Sequence, residues 1–365
     1  MIDSKDESLP CVVLFNINGN GMGHMSTCIA YANRMRGRVR PVFFSLASAI
    51  EIINDMGFEA DYMVSTFWSR ANSWEWDQEL SKRLGMMFER VRPQAVVFDG
   101  TWPYRGLLNA AAAYGVPRLV WSNLTLYKKN MHEVPISEDN FDLVIRLGEL
   151  GAKFSVERES GPSRSVIIPP FTMLRNDDLL CRNDARDELG LSRDGRYALF
   201  SLGPGNLKDI SGIGRGLVEE IQKRGYTVVW TRAPISASDT SLPDNVISIK
   251  QFPLIRIMRA FDVFIAAAGY NTCCEVLQSK VPTLFVPNTE VADDQTARAG
   301  LVAQAVPAVV SPCETPAQRT TAVAELLSFD SKEAVDTVMF DLRGAEYAAD
   351  EIVALIDADK QAGAA

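Results

Sequence analysis

The run Val263-Phe264-Ile265-Ala266-Ala267 is apolar at every position and is followed at once by Ala268-Gly269-Tyr270-Asn271-Thr272-Cys273-Cys274-Glu275. A continuous apolar run of this length reads as a strand buried on both sides, and a parallel sheet of such strands needs helices on both faces. No other segment narrows the fold so far: the chain must be α/β. The glycine at the strand end lets backbone approach a ligand, and the next helix begins with free N–H groups directed at that ligand. Glu275 stands about one helical turn further on, on the face that reaches back toward the same place. The arrangement suits a diphosphate with an attached ribose.

Short apolar runs alternate with helical patterns through the rest of the chain, the signature of parallel α/β architecture. In the first half, residues 11–17, 41–46, 61–64, 95–98, 118–121 and 141–145 read as strands, the last of them closing that half. Helices fall around 26–35, 49–56, 76–91 and 107–114. The tract from Gly161-Pro162-Ser163 to Pro169-Pro170 marks the change of domain. Further strands follow at 197–201, 227–230, 246–249, 263–267 and 283–286, and residues 344–360 are helical in pattern. A length of 365 residues fits two domains. The expected division is residues 1–170, residues 171–342, and a terminal helix at 343–365 that crosses back to the first half. Two nucleotide-fold halves would face one cleft.

Composition narrows the partners. A net charge of −9 argues against broad nucleic-acid binding. The six cysteines (11, 28, 181, 273, 274, 313) form no C-x-x-C, so they read as reduced thiols rather than disulfides or zinc ligands. The start, Met1-Ile2-Asp3-Ser4-Lys5-Asp6-Glu7, is polar and acidic, unlike a secretory signal. No window carries the ~18 apolar residues of a membrane span. The expectation is a cytoplasmic protein.

A second glycine turn, Asn18-Gly19-Asn20-Gly21-Met22-Gly23-His24, separates the first strand from its helix. It could be a dinucleotide fingerprint, but its spacing is G-x-G-x-G with His24 at the third glycine's place. The second strand also ends without the acid that holds an adenosine ribose. His24 emerges at the strand edge where α/β ligand sites lie, and a neutral imidazole there can accept a hydroxyl proton. The alternative is a histidine that only caps its helix. Asp99, at the end of residues 95–98, could hold the imidazole N–H, or cap the helix after Trp102-Pro103. His132 has no partner in view and reads as structural. Trp68, Trp74 and Trp76, with Phe67, cluster between residues 65 and 79. They could form an acceptor platform, a shallow membrane contact, or packed core. The charge run 184–188 reads as a solvated helix face. A third glycine turn, Gly203-Pro204-Gly205-Asn206, opens the second half.

These residues resemble the GT-B glycosyltransferases, over both halves of the chain. Gly269-x-x-Thr272-x-x-Glu275 is similar to the peptidoglycan N-acetylglucosaminyltransferase family, and Gly269-Tyr270-Asn271-Thr272…Glu275 to the G-W-N-S…E core of the UDP-glycosyltransferases. Asp294-Gln295-Thr296-Ala297-Arg298-Ala299 matches the D-Q-x-x-N-A ending of that signature, with Arg298 in place of Asn, about twenty residues on. The resemblance implies two Rossmann-like domains and a nucleotide-sugar donor, most simply UDP-linked. Glu275 would hold the ribose. Gly269, Asn271 and Thr272 would face the diphosphate with Gly203, Gly205 and Asn206. Asp294 and Gln295 would bind the sugar, and the base would lie at Gln251-Phe252-Pro253-Leu254. In the first half, Gly21 and Gly23 would border the acceptor beside Trp68, Trp74 and Trp76.

The sequence departs from the UDP-glycosyltransferases at Ala267, where many carry a phosphate-touching histidine. The peptidoglycan family also lacks it. By this resemblance His24, assisted by Asp99, would deprotonate an acceptor hydroxyl for an inverting displacement that needs no cofactor and no metal, with backbone N–H groups absorbing the leaving charge. Asp357-Ala358-Asp359 falls on the terminal helix, away from any strand end. The acceptor would be a small molecule or lipid-linked, the latter with peripheral contact at the inner face of a membrane. A nucleotide-sugar epimerase on the same scaffold and a catalytically silent nucleotide-sugar-binding subunit are the alternatives.

Overall fold

A computed structural model describes residues 8–17, 22–128, 136–157, 164–203, 211–232, 242–243, 245–329 and 340–363. The chain forms two compact units. Residues 1–125, 129–171 and 343–365 make the first; residues 126–128 and 172–342 make the second.

The first unit is built on eight strands: β1 (Cys11–Asn16), β2 (Arg40–Ser45), β3 (Glu59–Tyr62), β4 (Ala95–Asp99), β5 (Arg118–Leu124), β6 (Leu143–Leu147), β7 (Ser155–Glu157) and β8 (Arg164–Ile168). Their order is β3-β2-β1-β4-β5-β6-β8-β7, parallel except where β7 meets β8. The helices are α1 (Gly23–Met35), α2 (Ile50–Asp55), α3 (Thr66–Ser69), α4 (Ser73–Val91) and α5 (Arg105–Tyr114). Strands β1 and β4 are buried along their whole length, as their apolar runs require. Phe15 meets Phe44 and Phe98 edge-on at 5.2 Å each, and the stripe Trp76, Leu80, Leu84, Met87, Phe88 and Val91 of α4 packs into the same core. Each such fully buried side chain contributes about 1.5–3 kcal/mol.

The second unit carries β9 (Tyr197–Ser201), β10 (Thr227–Thr231), β11 (Val246–Ile249), β12 (Val263–Ala266), β13 (Thr283–Phe285) and β14 (Ala308–Val310). All are parallel, in the order β11-β10-β9-β12-β13-β14. Its helices are α6 (Arg182–Glu188), α7 (Ser211–Gln222), α8 (Tyr270–Ser279), α9 (Gln295–Ala303) and α10 (Pro316–Leu326). The chain then returns to the first unit as α11 (Gly344–Gly363), which packs on α1. Arg34 Nε donates to Glu346 Oε1 at 2.9 Å, and Arg164 pairs with Glu351. Gly344 permits the return: a Cβ there would lie 1.9 Å from the Pro169 carbonyl oxygen.

Both sheets reverse their strand order once, between β1 and β4 and between β9 and β12. In open α/β sheets, ligands bind outside the carboxyl ends of strands at such a switch point.

The structure corrects several expectations. The first sheet does not close with residues 141–145: β7 and β8 follow, and β8 lies in the tract that leads up to the change of unit after Phe171. Ser165, Val166 and Ile168 are buried against β6, and the prolines at 169 and 170 end the strand. Strand β14 was not anticipated, since three residues are too few to show a period. The charge run 184–188 is not wholly solvated. Arg186 is fully buried, donating to the Ala260 carbonyl at 2.7 Å and pairing with Asp262 at 3.1 Å. His132 lies outside the described residues.

Candidate active site

In the first unit the site forms at the β1/β4 switch point. Neighbouring strands in register place Asn16 beside Asp99. Helix α1 starts just past β1, so His24 in its first turn overhangs the end of β4. His24 Nδ1 lies 2.6 Å from Asp99 Oδ1. Asp99 is 2% exposed, while the His24 side chain keeps 23% of its surface open. The alternative of helix caps does not hold for either residue. Met22 occupies the cap position of α1 and Tyr104 that of α5, and the side chain that bonds the start of α5 is Asp77, whose Oδ1 accepts from Gly106 N–H at 3.0 Å. The carboxylate fixes the ring through Nδ1, and Nε2 makes no hydrogen bond among the described residues. Gly23 is exposed beside it, and Gly21 lies outside the described residues.

The tryptophan cluster separates into two kinds. Trp74 is 70% exposed and Trp68 49%, with Phe67 edge-on to Trp68 at 4.9 Å. Trp76 is core: it is 3% exposed, its Nε1 donates to the Val64 carbonyl at 2.8 Å, and its ring packs on Tyr104 at 4.9 Å. This corrects the acceptor role expected for Trp76. The signal was in the sequence, because Trp76 begins the i, i+4 apolar stripe that continues through Leu80 and Leu84.

In the second unit the site forms at the β9/β12 switch point. Gly203 follows β9 with φ +86°, a conformation that favours glycine. Gly205 and Asn206 lie outside the described residues. Gly269 caps α8 without a side chain of its own to bond the helix end, and a Cβ built there would meet nothing within 4 Å. Open space therefore adjoins a helix N-terminus, the physical requirement for a phosphate cradle. Asn271 and Thr272 are half-buried in the first turn, and Phe252 is half-buried ahead of the 3-10 turn Leu254–Ala260. Ala267 offers this site only a methyl group, with its N–H donating to the Ser201 carbonyl at 3.1 Å.

Glu275 is half-buried on α8 and makes no hydrogen bond or ion pair among the described residues. Burial pushes its carboxyl up to about 8. Asp294 Oδ1 accepts from Ala297 N–H at 3.0 Å and so caps α9. Gln295, 8% exposed, accepts from Asn288 N–H at 2.9 Å through Oε1, and its amide NH2 makes no hydrogen bond among the described residues. Both side chains thus have a structural bond and a remaining polar group. Arg298 was read only as a departure from a signature. It proves to be 1% exposed and bonded to both segments of this site.

Residues 217–341 match the model of the glycosyltransferase family 28 C-terminal domain. The chain has the two-domain GT-B fold. The family match takes in Phe252, Gly269, Asn271, Thr272, Glu275, Asp294 and Gln295. Three solved structures match along nearly the whole length of the chain. The glycotransferase of kitacinnamycin is 18% identical, with a TM-score of 0.60, covering 95% of this chain and 99% of its own. The glycosyltransferase VinC in complex with dTDP is 15% identical, with a TM-score of 0.56 and 95% of each chain covered. MnaA of S. aureus in complex with UDP is 11% identical, with a TM-score of 0.59, covering 94% of this chain and 95% of its own. No curated protein matches the sequence. Among the described residues, no helix is long and apolar enough to cross a membrane.

Proposed function

We propose that the enzyme is an inverting, metal-independent glycosyltransferase that moves a sugar from a UDP-sugar to the hydroxyl of a small acceptor with an apolar body. The observation that carries this reading is the 2.6 Å bond between His24 and Asp99 at a switch point. A silent binding subunit has no use for an oriented imidazole with one nitrogen left open. His24 and Asp99 stand in the first unit, and the donor-site residues stand in the second.

The acceptor O–H gives its proton to His24 Nε2, and Asp99 stabilises the imidazolium that results. The acceptor oxygen attacks the anomeric carbon from the side opposite the nucleotide, forming the new C–O bond and inverting that centre. The bond from that carbon to the β-phosphate oxygen breaks, and its electron pair leaves with UDP. The N-terminus of α8 at Gly269 takes up the developing charge, so no metal ion is required. Glu275 receives the ribose hydroxyls, and Asp294 and Gln295 the sugar. The UDP and dTDP complexes of MnaA and VinC support a pyrimidine nucleotide. Exposed Phe67, Trp68 and Trp74 offer the apolar acceptor a platform.

Calorimetric titration with UDP, dTDP and GDP tests the donor assignment. UDP should bind the wild type and His24→Ala, and should fail to bind Glu275→Ala. A preference for dTDP would replace the base and keep the mechanism. The absence of binding by all three nucleotides would overturn the reading.

A further inference from the structure

Helix α9 carries one of the largest fully buried side chains of the protein, Arg298, and its contacts are unusual in where they fall. Its Nη1 pairs with the Asp293 carboxylate and lies 3.4 Å from the Ala268 carbonyl oxygen. The guanidinium also sits over the Tyr270 ring, 5.6 Å from its centroid. Ala268 and Tyr270 are the residues on either side of Gly269. Asp293 is the residue before Asp294 and Gln295. One buried cation therefore clasps the two segments that meet a nucleotide sugar at its diphosphate and at its sugar.

Asp293 is held by its backbone as well. Tyr127 forms an antiparallel bridge with it, Asp294 N–H donates to the Leu126 carbonyl at 3.2 Å, and Gln295 N–H donates to the Asp293 carbonyl at 3.1 Å. These bonds fix the loop's path. None of them spans to Gly269, whereas Arg298 does. The planar guanidinium is suited to this task because Nη1 meets a carboxylate and a carbonyl at once while the plane of the group lies over a ring. A lysine ammonium, a point charge on a flexible stem, is less well pre-organised to make all three contacts together.

We propose that Arg298, with Asp293, is a positioning residue that sets the spacing between the Gly269 turn and the Asp294–Gln295 loop, and so sets how well the sugar half of the donor is held. The proposal rests on the donor-site assignment above. It does not require Arg298 to touch the donor. The nucleotide contacts around Glu275 and Phe252 are independent of that spacing, so the effect should fall on the sugar alone.

The test compares wild type, Arg298→Lys, Asp293→Asn, Gln295→Ala and the double variant Arg298→Lys/Gln295→Ala. Calorimetry gives the Kd of UDP and of UDP-N-acetylglucosamine and UDP-glucose, and a UDP-release assay gives donor KM and kcat. For Arg298→Lys and Asp293→Asn, donor KM should rise about tenfold, as expected for a displaced substrate-positioning group. The Kd of UDP should stay within about threefold. The double variant should be little worse than Gln295→Ala, because Arg298 acts through that loop.

Equal weakening of UDP and UDP-sugar would reduce Arg298 to general structural support and overturn the proposal. So would unchanged donor KM in both single variants, or additive losses in the double variant. If Arg298→Lys does not fold, Asp293→Asn decides alone. A wild type that binds none of the nucleotides fails at the donor site itself, which is distinguishable from any of these results.

Discussion

Replacing His24 has two separable consequences, and their sizes follow from the geometry. Loss of a positioned general base costs a factor of about 10²–10⁴ in rate. That corresponds to about 3–5 kcal/mol of barrier. Loss of the same ring also strips Asp99, 2% exposed, of the partner at 2.6 Å. A fully buried carboxylate deprived of its partner costs about 3–5 kcal/mol. The His24 side chain keeps 23% of its surface open, so water can enter the space it leaves, and a cost of about 1–3 kcal/mol is expected instead. His24→Ala should therefore be both inactive and less stable. In His24→Gln the amide NH2 can still donate to Asp99, so stability should recover while activity stays lost. Asp99→Asn should keep the fold and lower kcat, since a neutral amide neither selects the ring tautomer nor stabilises the imidazolium. The assay is the initial rate of UDP release in the presence of acceptor, with urea unfolding of each variant measured alongside. A His24→Gln enzyme that transfers sugar at the wild-type rate would refute the reasoning, whatever its stability.

Three further outcomes are expected. Glu275 titrates at about 8 in the free protein, and ribose hydroxyls donating to its carboxylate lower that value in the complex. UDP affinity should then rise with pH toward 8, by at most about tenfold per unit, and level off above. Proton release on binding, read by calorimetry in buffers of different ionisation enthalpy, should vanish in Glu275→Gln. The same ionisation opposes folding: its cost should be absent below the ordinary glutamate range and complete above about pH 8, giving Glu275→Gln a flatter stability profile in urea. Gly269→Ala adds a Cβ that meets nothing within 4 Å, so stability should fall by no more than about 1 kcal/mol while UDP affinity drops at least about tenfold. Trp76→Ala should cost about 3–5 kcal/mol in chemical denaturation. Trp74→Ala, at a position 70% exposed, should change stability by less than about 0.5 kcal/mol and raise acceptor KM.

The sequence by itself determined the modules. An apolar run such as Val263-Phe264-Ile265-Ala266 can only be satisfied as a doubly covered strand, and a glycine followed by a helical period opens a turn at its end. Gly269 and Glu275 belong to one turn and one helix, so their shared face is a matter of local geometry and could be read directly. Strand positions along both halves were legible for the same reason, to within a few residues. What could not be read was adjacency. His24 and Asp99 stand 75 residues apart, and they meet because β4 pairs with β1 where the strand order reverses. Arg298 and Ala268 stand 30 apart, and Arg186 is drawn inward to Asp262 over 76. Strand β8 went unrecognised because two prolines mark it as a boundary, while its pairing with β6 is what makes it a strand. Local periodicity is written in each segment's own side chains. Strand order depends on how distant apolar faces are buried against one another, and that is decided only when the whole chain folds.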